Sequence, residues 1–176
     1  MDFRDGALLA NTGAMIAEIR RERGISQEEL ANLCRVHRNT IGKLERGEVD
    51  PSLTAINRIF VKMRVGGVSF NTDGVIPFGG LDERLAKIYG EISPVQSLAR
   101  IAFCVRTLRK HHGFSLCSLA RAANIHINTV WGFENRTVDP SLMTTYRIYR
   151  ALEIGKVSLE DDGLKLRKNP ALMPNE

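Results

Sequence analysis

Slid along itself by 89 positions, this 176-residue chain falls into register with itself without a gap. Gly24 meets Gly113, Ser26 meets Ser115, and Leu30-Ala31 meets Leu119-Ala120. His37 meets His126, Asn39-Thr40 meets Asn128-Thr129, and Glu45 meets Glu134. The run Val49-Asp50-Pro51-Ser52-Leu53 returns as Val138-Asp139-Pro140-Ser141-Leu142. Between 16–76 and 105–165, 21 of 61 positions are identical, where unrelated segments agree at roughly one in twenty. The chain is therefore a duplication. Two copies are too few for a solenoid, so the reading is two small units of one fold.

The first copy reads as short helices separated by tight turns. Met15, Ile16 and Ile19 fall at helical spacing between about Gly13 and Arg23. Gly24 supplies a left-handed helix end. Ser26 opens a second helix, and Glu29 completes a capping box. Leu30 and Leu33 are read as its buried side. A third helix begins at His37 or a neighbour, turns Ile41 and Leu44 inward and ends at Gly47. Asp50 is expected to cap a fourth helix with Pro51 at its first position. Leu53, Ile56, Ile59 and Phe60 form its apolar stripe.

Beyond this core, Gly66–Val75 matches Gly155–Leu164, and each contains an Asp-Gly step between apolar segments, a hairpin signal. Val68 and Phe70 are candidates to pack between copies or between chains. Pro77-Phe78-Gly79-Gly80 reads as a connector, followed by a helix near Leu81–Gly90. Ser93-Pro94 reads as the start of a helix running to about His111. The expected division is 1–76, a connector over 77–93, a second unit over 94–167, and a disordered tail over 168–176.

Two short helices joined by a turn around Cys34–Val36 make a helix-turn-helix. The order Gly-x-Ser-Gln-x-x-Leu-Ala, Asn-Thr-Ile-x-x-Leu-Glu-Arg-Gly and Pro-Ser-Leu resembles the XRE family of lambda-repressor and Cro-like domains. The resemblance covers about 16–60 and 105–149. It implies a mainly α fold with two tandem lambda-repressor-like helix-turn-helix domains, each with a short β-hairpin appended. It also implies double-stranded operator DNA as partner, with the third helix in the major groove. Arg38, Asn39 and Lys43 then occupy base-reading positions, where Arg suits guanine and Asn adenine. Gln27 matches the family's glutamine that helps hold the DNA backbone, and Arg46 is a candidate phosphate contact.

The second copy departs from this pattern. Gln27 corresponds to Leu116, Arg38 to Ile127, Gly42 to Trp131 and Lys43 to Gly132, while Asn128 keeps a base-reading type. Val130 and Phe133 should face inward, which turns Ile127 and Trp131 outward as a contact surface for DNA or for a protein. His37 and His126 occupy equivalent sites where the family usually has Ser or Thr, so a capping or phosphate role is favoured over metal binding. Glu45 and Glu134 are kept in the family for structural contacts.

Composition bounds the alternatives. Lys+Arg is 25 against 20 Asp+Glu, a net charge of +5, and 43% of residues are hydrophobic, as in a globular protein. Residues 15–65 carry ten basic and seven acidic side chains, and 104–154 carry seven and three. Neither copy is acidic, and Arg106, Arg109, Lys110, Arg121 and Arg136 could meet phosphates in the second. Three separated cysteines argue against a disulfide framework or a zinc site, with Cys34 read as a packed thiol. No apolar run approaches the ~20 residues that span a bilayer, and MDFRDGALLA lacks the basic start of a signal peptide. No nucleophile elbow, phosphate loop or carboxylate pair marks an enzyme, and no cofactor or metal is expected.

These residues suggest a cytoplasmic, repressor-like transcription regulator, acting as a covalent dimer or as a homodimer if only the first copy reads bases. The alternative is an antiactivator or antitoxin-like protein that binds another regulator through Ile127 and Trp131.

Overall fold

In a computed structural model, which describes residues 3–70, 75–91, 94–160 and 163–168, the chain is mostly helical with one small sheet. The first half contains α1 (Phe3–Glu22), α2 (Gln27–Cys34), α3 (Arg38–Glu45), α4 (Leu53–Lys62), β1 (Val65–Phe70) and β2 (Val75–Gly80). A linking helix, α5 (Glu83–Glu91), leads to α6 (Pro94–His111), α7 (Leu116–Ala122), α8 (Ile127–Glu134) and α9 (Leu142–Ala151). Two strands, β3 (Ile154–Glu160) and β4 (Gly163–Lys168), close the order.

Local chemistry sets most of the boundaries. Ser26 and Ser115 cap α2 and α7, His37 and His126 cap α3 and α8, and Ser52 and Ser141 cap α4 and α9. Each cap accepts a hydrogen bond from an otherwise unpaired N–H of the first turn. The backbone repeats as closely as the caps do. Among the described residues, positive φ occurs in four pairs set 89 apart: Gly24 and Gly113, Arg35 and Asn124, Gly47 and Arg136, Arg64 and Glu153.

Four local expectations change. The first helix starts at Phe3, well before Gly13, because Leu8, Leu9, Thr12, Met15, Ile16 and Ile19 continue one buried stripe. Gly13 sits inside it for a packing reason: a Cβ there would stand 2.3 Å from the Leu44 carbonyl oxygen at the end of α3. Leu33 is 47% exposed, because Leu30, Ala31 and Cys34 supply the inner face of α2. Ser52 rather than Asp50 caps α4, since Pro51 lies before the helix. Finally, β2 runs through Pro77-Phe78-Gly79-Gly80, so the expected connector is part of the sheet. Ser93, Asp73-Gly74, Asp162 and the tail 169–176 lie outside the described residues.

The two hairpins join into one antiparallel sheet of order β2-β1-β3-β4. At the junction Val68 stands opposite Val157, flanked by Gly67 opposite Ser158 and Ser69 opposite Lys156. Val68 and Val157 are themselves 89 apart, so each pairs with its own counterpart. That happens only where a local two-fold axis passes between them. The same relation appears a second time, where Ser52 bridges Ser141 in antiparallel fashion. There Leu53 N–H donates to Pro140 O and Leu142 N–H to Pro51 O, each at 2.7 Å. Asp50 accepts from the Met143 N–H, and Asp139 accepts from the Thr54 N–H and hydroxyl.

Packing follows the same exchange. Helix α4 packs against α6 and α9, and α1 packs against α9 and β2. The Phe70 ring lies 5.3 Å from Tyr149 and 6.1 Å from Tyr146 on α9, so it packs between the copies. Buried residues of both halves form one continuous core, from Leu8 to Ile154. The hairpins are thus not separate appendages but the seam that joins the halves.

Candidate nucleic-acid interface

Helix α3 buries Ile41, Gly42 and Leu44 and leaves Arg38, Asn39 and Lys43 exposed. The burial is what aims the polar side chains: with Ile41 and Leu44 fixed in the core, positions 38, 39 and 43 must face outward. Among the described residues, the Arg38 and Lys43 side chains make no hydrogen bond. An exposed cationic face without internal partners can meet phosphates or base edges with little rearrangement.

Behind this face lies a buried clamp. Arg20 on α1 donates through Nε and Nη2 to the two Glu45 oxygens, at 2.6 and 3.1 Å, and through Nη1 to Ile25 O at 2.7 Å. Gln27 donates to Glu45 Oε2 at 2.8 Å. One carboxylate at the end of α3 is therefore tied to α1 and to the first residue of α2, which fixes the angle between the two turn-joined helices. Burial by itself raises the Glu45 carboxyl, but hydrogen bonds from Arg20 and Gln27 outweigh it and hold the group below the usual carboxylate range. The Arg20 guanidinium is raised in turn by its hydrogen bond to Glu45.

The clamp recurs. Arg109 donates to both Glu134 oxygens at 2.5 and 2.8 Å and to Phe114 O at 2.7 Å. Leu116 stands where Gln27 does, so Glu134 has no amide donor from α7. Sequence reading assigns structural contacts to Glu45 and Glu134 but leaves their partners unnamed. A signal was present, since Arg20 and Arg109 also coincide at the 89-residue offset.

The remaining site residues divide by what already holds them. Arg46, at the end of α3, is paired with Glu48 through Nε and Nη2 at 2.6 and 2.9 Å, both side chains being exposed. A phosphate would have to displace Glu48. His37 Nδ1 accepts the Asn39 N–H, and His126 Nδ1 accepts the Asn128 N–H, each at 3.2 Å. On α8, Val130 and Phe133 are fully buried while Asn128 is exposed. Ile127 is 39% and Trp131 51% exposed, so α8 shows an apolar face where α3 shows a cationic one.

Among the described residues no cluster of His, Cys, Asp or Glu could hold a metal ion, and no helix is long and apolar enough to cross a membrane. Cys34 is buried, and burial pushes its thiol up to about 11.

Comparison with known proteins assigns part of the chain. A helix-turn-helix family model of the XRE type matches residues 16–66, from within α1 to the start of β1. Domains of that family bind DNA and are regulatory rather than enzymatic. No curated protein and no solved structure matches the chain.

Proposed function

We propose that the chain is a sequence-specific, repressor-like transcriptional regulator that sets α3 in the major groove. The observation that carries this reading is the exposed face of Arg38, Asn39 and Lys43 on a helix held from behind by the Arg20–Glu45–Gln27 clamp, within the segment that matches the helix-turn-helix family. In this reading Arg38 and Lys43 contact base edges and phosphates, Asn39 reads adenine, and Gln27 and Arg46 steady the backbone.

The second half supports the reading as a partner unit. In this reading the local two-fold seen at Val68/Val157 and Ser52/Ser141 extends to α3 and α8, pairing them as a dimer axis pairs two recognition helices. One chain then acts as a tandem pair of lambda-repressor-like domains, a covalent dimer. Its two reading helices differ, so its operator is asymmetric: one half-site for Arg38, Asn39 and Lys43, and a second for Asn128 with Ile127 against a thymine methyl. His37 and His126 serve as caps whose outer edges meet phosphate.

Selection of bound fragments from genomic DNA at two salt concentrations tests this. A single enriched sequence, with affinity falling steeply as salt rises, is the expected result. Absence of enrichment, or unchanged operator affinity in the Arg38→Ala/Lys43→Ala variant, refutes it.

A second reading is favoured by one observation, the half-exposed Trp131 beside Ile127. In it the α8 face binds another transcription regulator and blocks it, as an antiactivator or antitoxin does. Trp131→Ala would then abolish partner capture while sparing DNA binding.

A further inference from the structure

A cleft of about 310 Å³ opens between the end of α2, the outer side of α4, the linking helix α5 and the first turns of α6. That volume lies at the lower end of the range for small-molecule sites, roughly 300–1,000 Å³. No residue of α3 lines it, and neither does any residue of the DNA-facing set.

Its lining is chemically biased. Three cations, Arg35, Arg58 and Lys62, face one carboxylate, Glu91. Arg58 spends one nitrogen on the Cys34 carbonyl, at 2.9 Å. Among the described residues, the Arg35 and Lys62 side chains donate no hydrogen bond, and Glu91 forms no ion pair. Lys62 Nζ reaches to 3.8 Å from where a Cβ on Gly90 would stand, so it points across the cleft toward α5. The apolar wall includes Leu33, the α2 residue that the core does not use. An exposed leucine lining one cleft with three cations is a poor structural arrangement and a good amphipathic site.

The duplication supplies an internal control. At the positions of Arg35, Thr54, Asn57 and Lys62 the second half carries Asn124, Met143, Tyr146 and Ala151. Arg58 alone is kept, as Arg147, which reaches the Asn124 carbonyl at 3.5 Å, one residue beyond the place of Cys34. The arginine that ties α4 or α9 to the preceding turn is thus common to both halves. Arg35 and Lys62 have no cationic counterpart in the second half, where the one added cation among the matching positions, Arg150 at the place of Val61, lies 5.8 Å from the Tyr146 ring. Helix α5 is itself anchored, since the Tyr89 hydroxyl donates to Glu160 O on β3 at 2.6 Å.

We propose that this cleft is a binding site for a small organic dianion, a phosphate monoester or a dicarboxylate, with an apolar body against Leu33. Arg35 and Arg58 offer planar forks suited to either anionic group, and Lys62, one turn on from Arg58 along α4, adds a point charge. With Glu91 counted, the local excess of two positive charges matches a dianion.

The full-length chain is titrated with phenyl phosphate and, separately, with phthalate, following backbone amide resonances. Saturable shifts at Leu33, Lys62 and Gly90 below about 10 mM, with α3 unmoved, are expected from at least one probe. Which probe binds more tightly tells phosphate from dicarboxylate. Inorganic phosphate should bind about tenfold more weakly than phenyl phosphate, because it lacks the apolar body. The variant Arg35→Asn/Lys62→Ala installs residues the second half already carries, Asn being suited to the positive φ of 53° at position 35. It should stay folded and bind at least about tenfold more weakly. Lys62→Gln alone provides the same test should the double variant unfold. No saturable shift with either probe, equal affinity in the folded variants, or inorganic phosphate binding as tightly as phenyl phosphate would overturn the proposal.

Discussion

Helices α3 and α8 have the same histidine cap, the same inward positions (Ile41 and Leu44 in one, Val130 and Phe133 in the other) and the same buried arginine–glutamate clamp, yet they show the solvent different surfaces. In α3 the outer positions are Arg38, Asn39 and Lys43; in α8 Ile127, Asn128 and Trp131 face out, with Gly132 at the place of Lys43. The scaffold and the surface have therefore diverged independently. Buried positions are constrained by packing at near-crystalline density. An exposed position is constrained only by what it meets, so the two outer faces are suited to different contacts.

The largest effect expected from breaking this comparison lies in the clamp. Removing one partner of a buried ion pair strands the other charge, at a cost of about 3–5 kcal/mol. Arg109→Met should approach that cost in urea unfolding. Arg20→Met should cost less, because Gln27 still donates to Glu45. Equal losses would mean that Gln27 contributes nothing to the clamp.

Next comes the reading face. Replacing Arg38 and Lys43 together with alanine should cost about 1–3 kcal/mol of operator affinity for each lost contact, with stability hardly changed. Ile127→Ala should affect only the second half-site. A fluorescence titration against the selected operator and against half-site mutants separates the two.

The seam offers a third test of asymmetry. A Cβ on Gly67 would stand 2.6 Å from the Phe78 ring and 2.7 Å from Val157 O. Gly67→Ala should therefore destabilise by about 1–3 kcal/mol, as overpacking does. Its counterpart Lys156 is exposed and already has a side chain, whose ammonium lies 5.8 Å from the Phe78 ring, so Lys156→Ala should cost no more than about 1 kcal/mol. Thermal unfolding of both variants measures the contrast.

Acid titration gives a smaller, signed effect. The folded Glu45 carboxyl is held below its ordinary value, so its contribution is present above the unfolded pKa and is lost as pH falls through the folded one. Glu45→Gln should flatten the acid limb of the stability profile below about pH 4.3. An unchanged limb would contradict the depressed value. Smallest of all, Trp131→Ala should move the unfolding midpoint little, since half of its surface is already exposed. A large loss of stability would mean that the ring is structural, and the second reading would lose its basis.

The helix-turn-helix was legible because its signals are local. Ser26 with Glu29, the positive-φ Gly24, and the spacing of Leu30, Ile41 and Leu44 each act within a few residues. What escaped was set by distant neighbours. Gly13 reads as the start of the first helix until Leu44 O is seen against it inside a longer one. Leu33 has core chemistry, but the inner face of α2 is already filled. Asp50 has capping chemistry, but it is turned to the Met143 N–H in the other half. Arg46 was legible as a cation but not as one already held by Glu48.

The repeat, the order of the helices and the polar face of α3 can be read along the chain, because each depends on periodicity and short-range capping. How the copies meet cannot. Identity at an offset of 89 says that Val68 and Val157, or Ser52 and Ser141, are equivalent; it does not say that they touch. Contact between equivalent residues requires a two-fold axis, and an axis is a property of packed surfaces in three dimensions. The same holds for the cleft beside α4, whose cations come from the turn after α2 and from α4 and whose roof comes from a linking helix with no counterpart among the described residues.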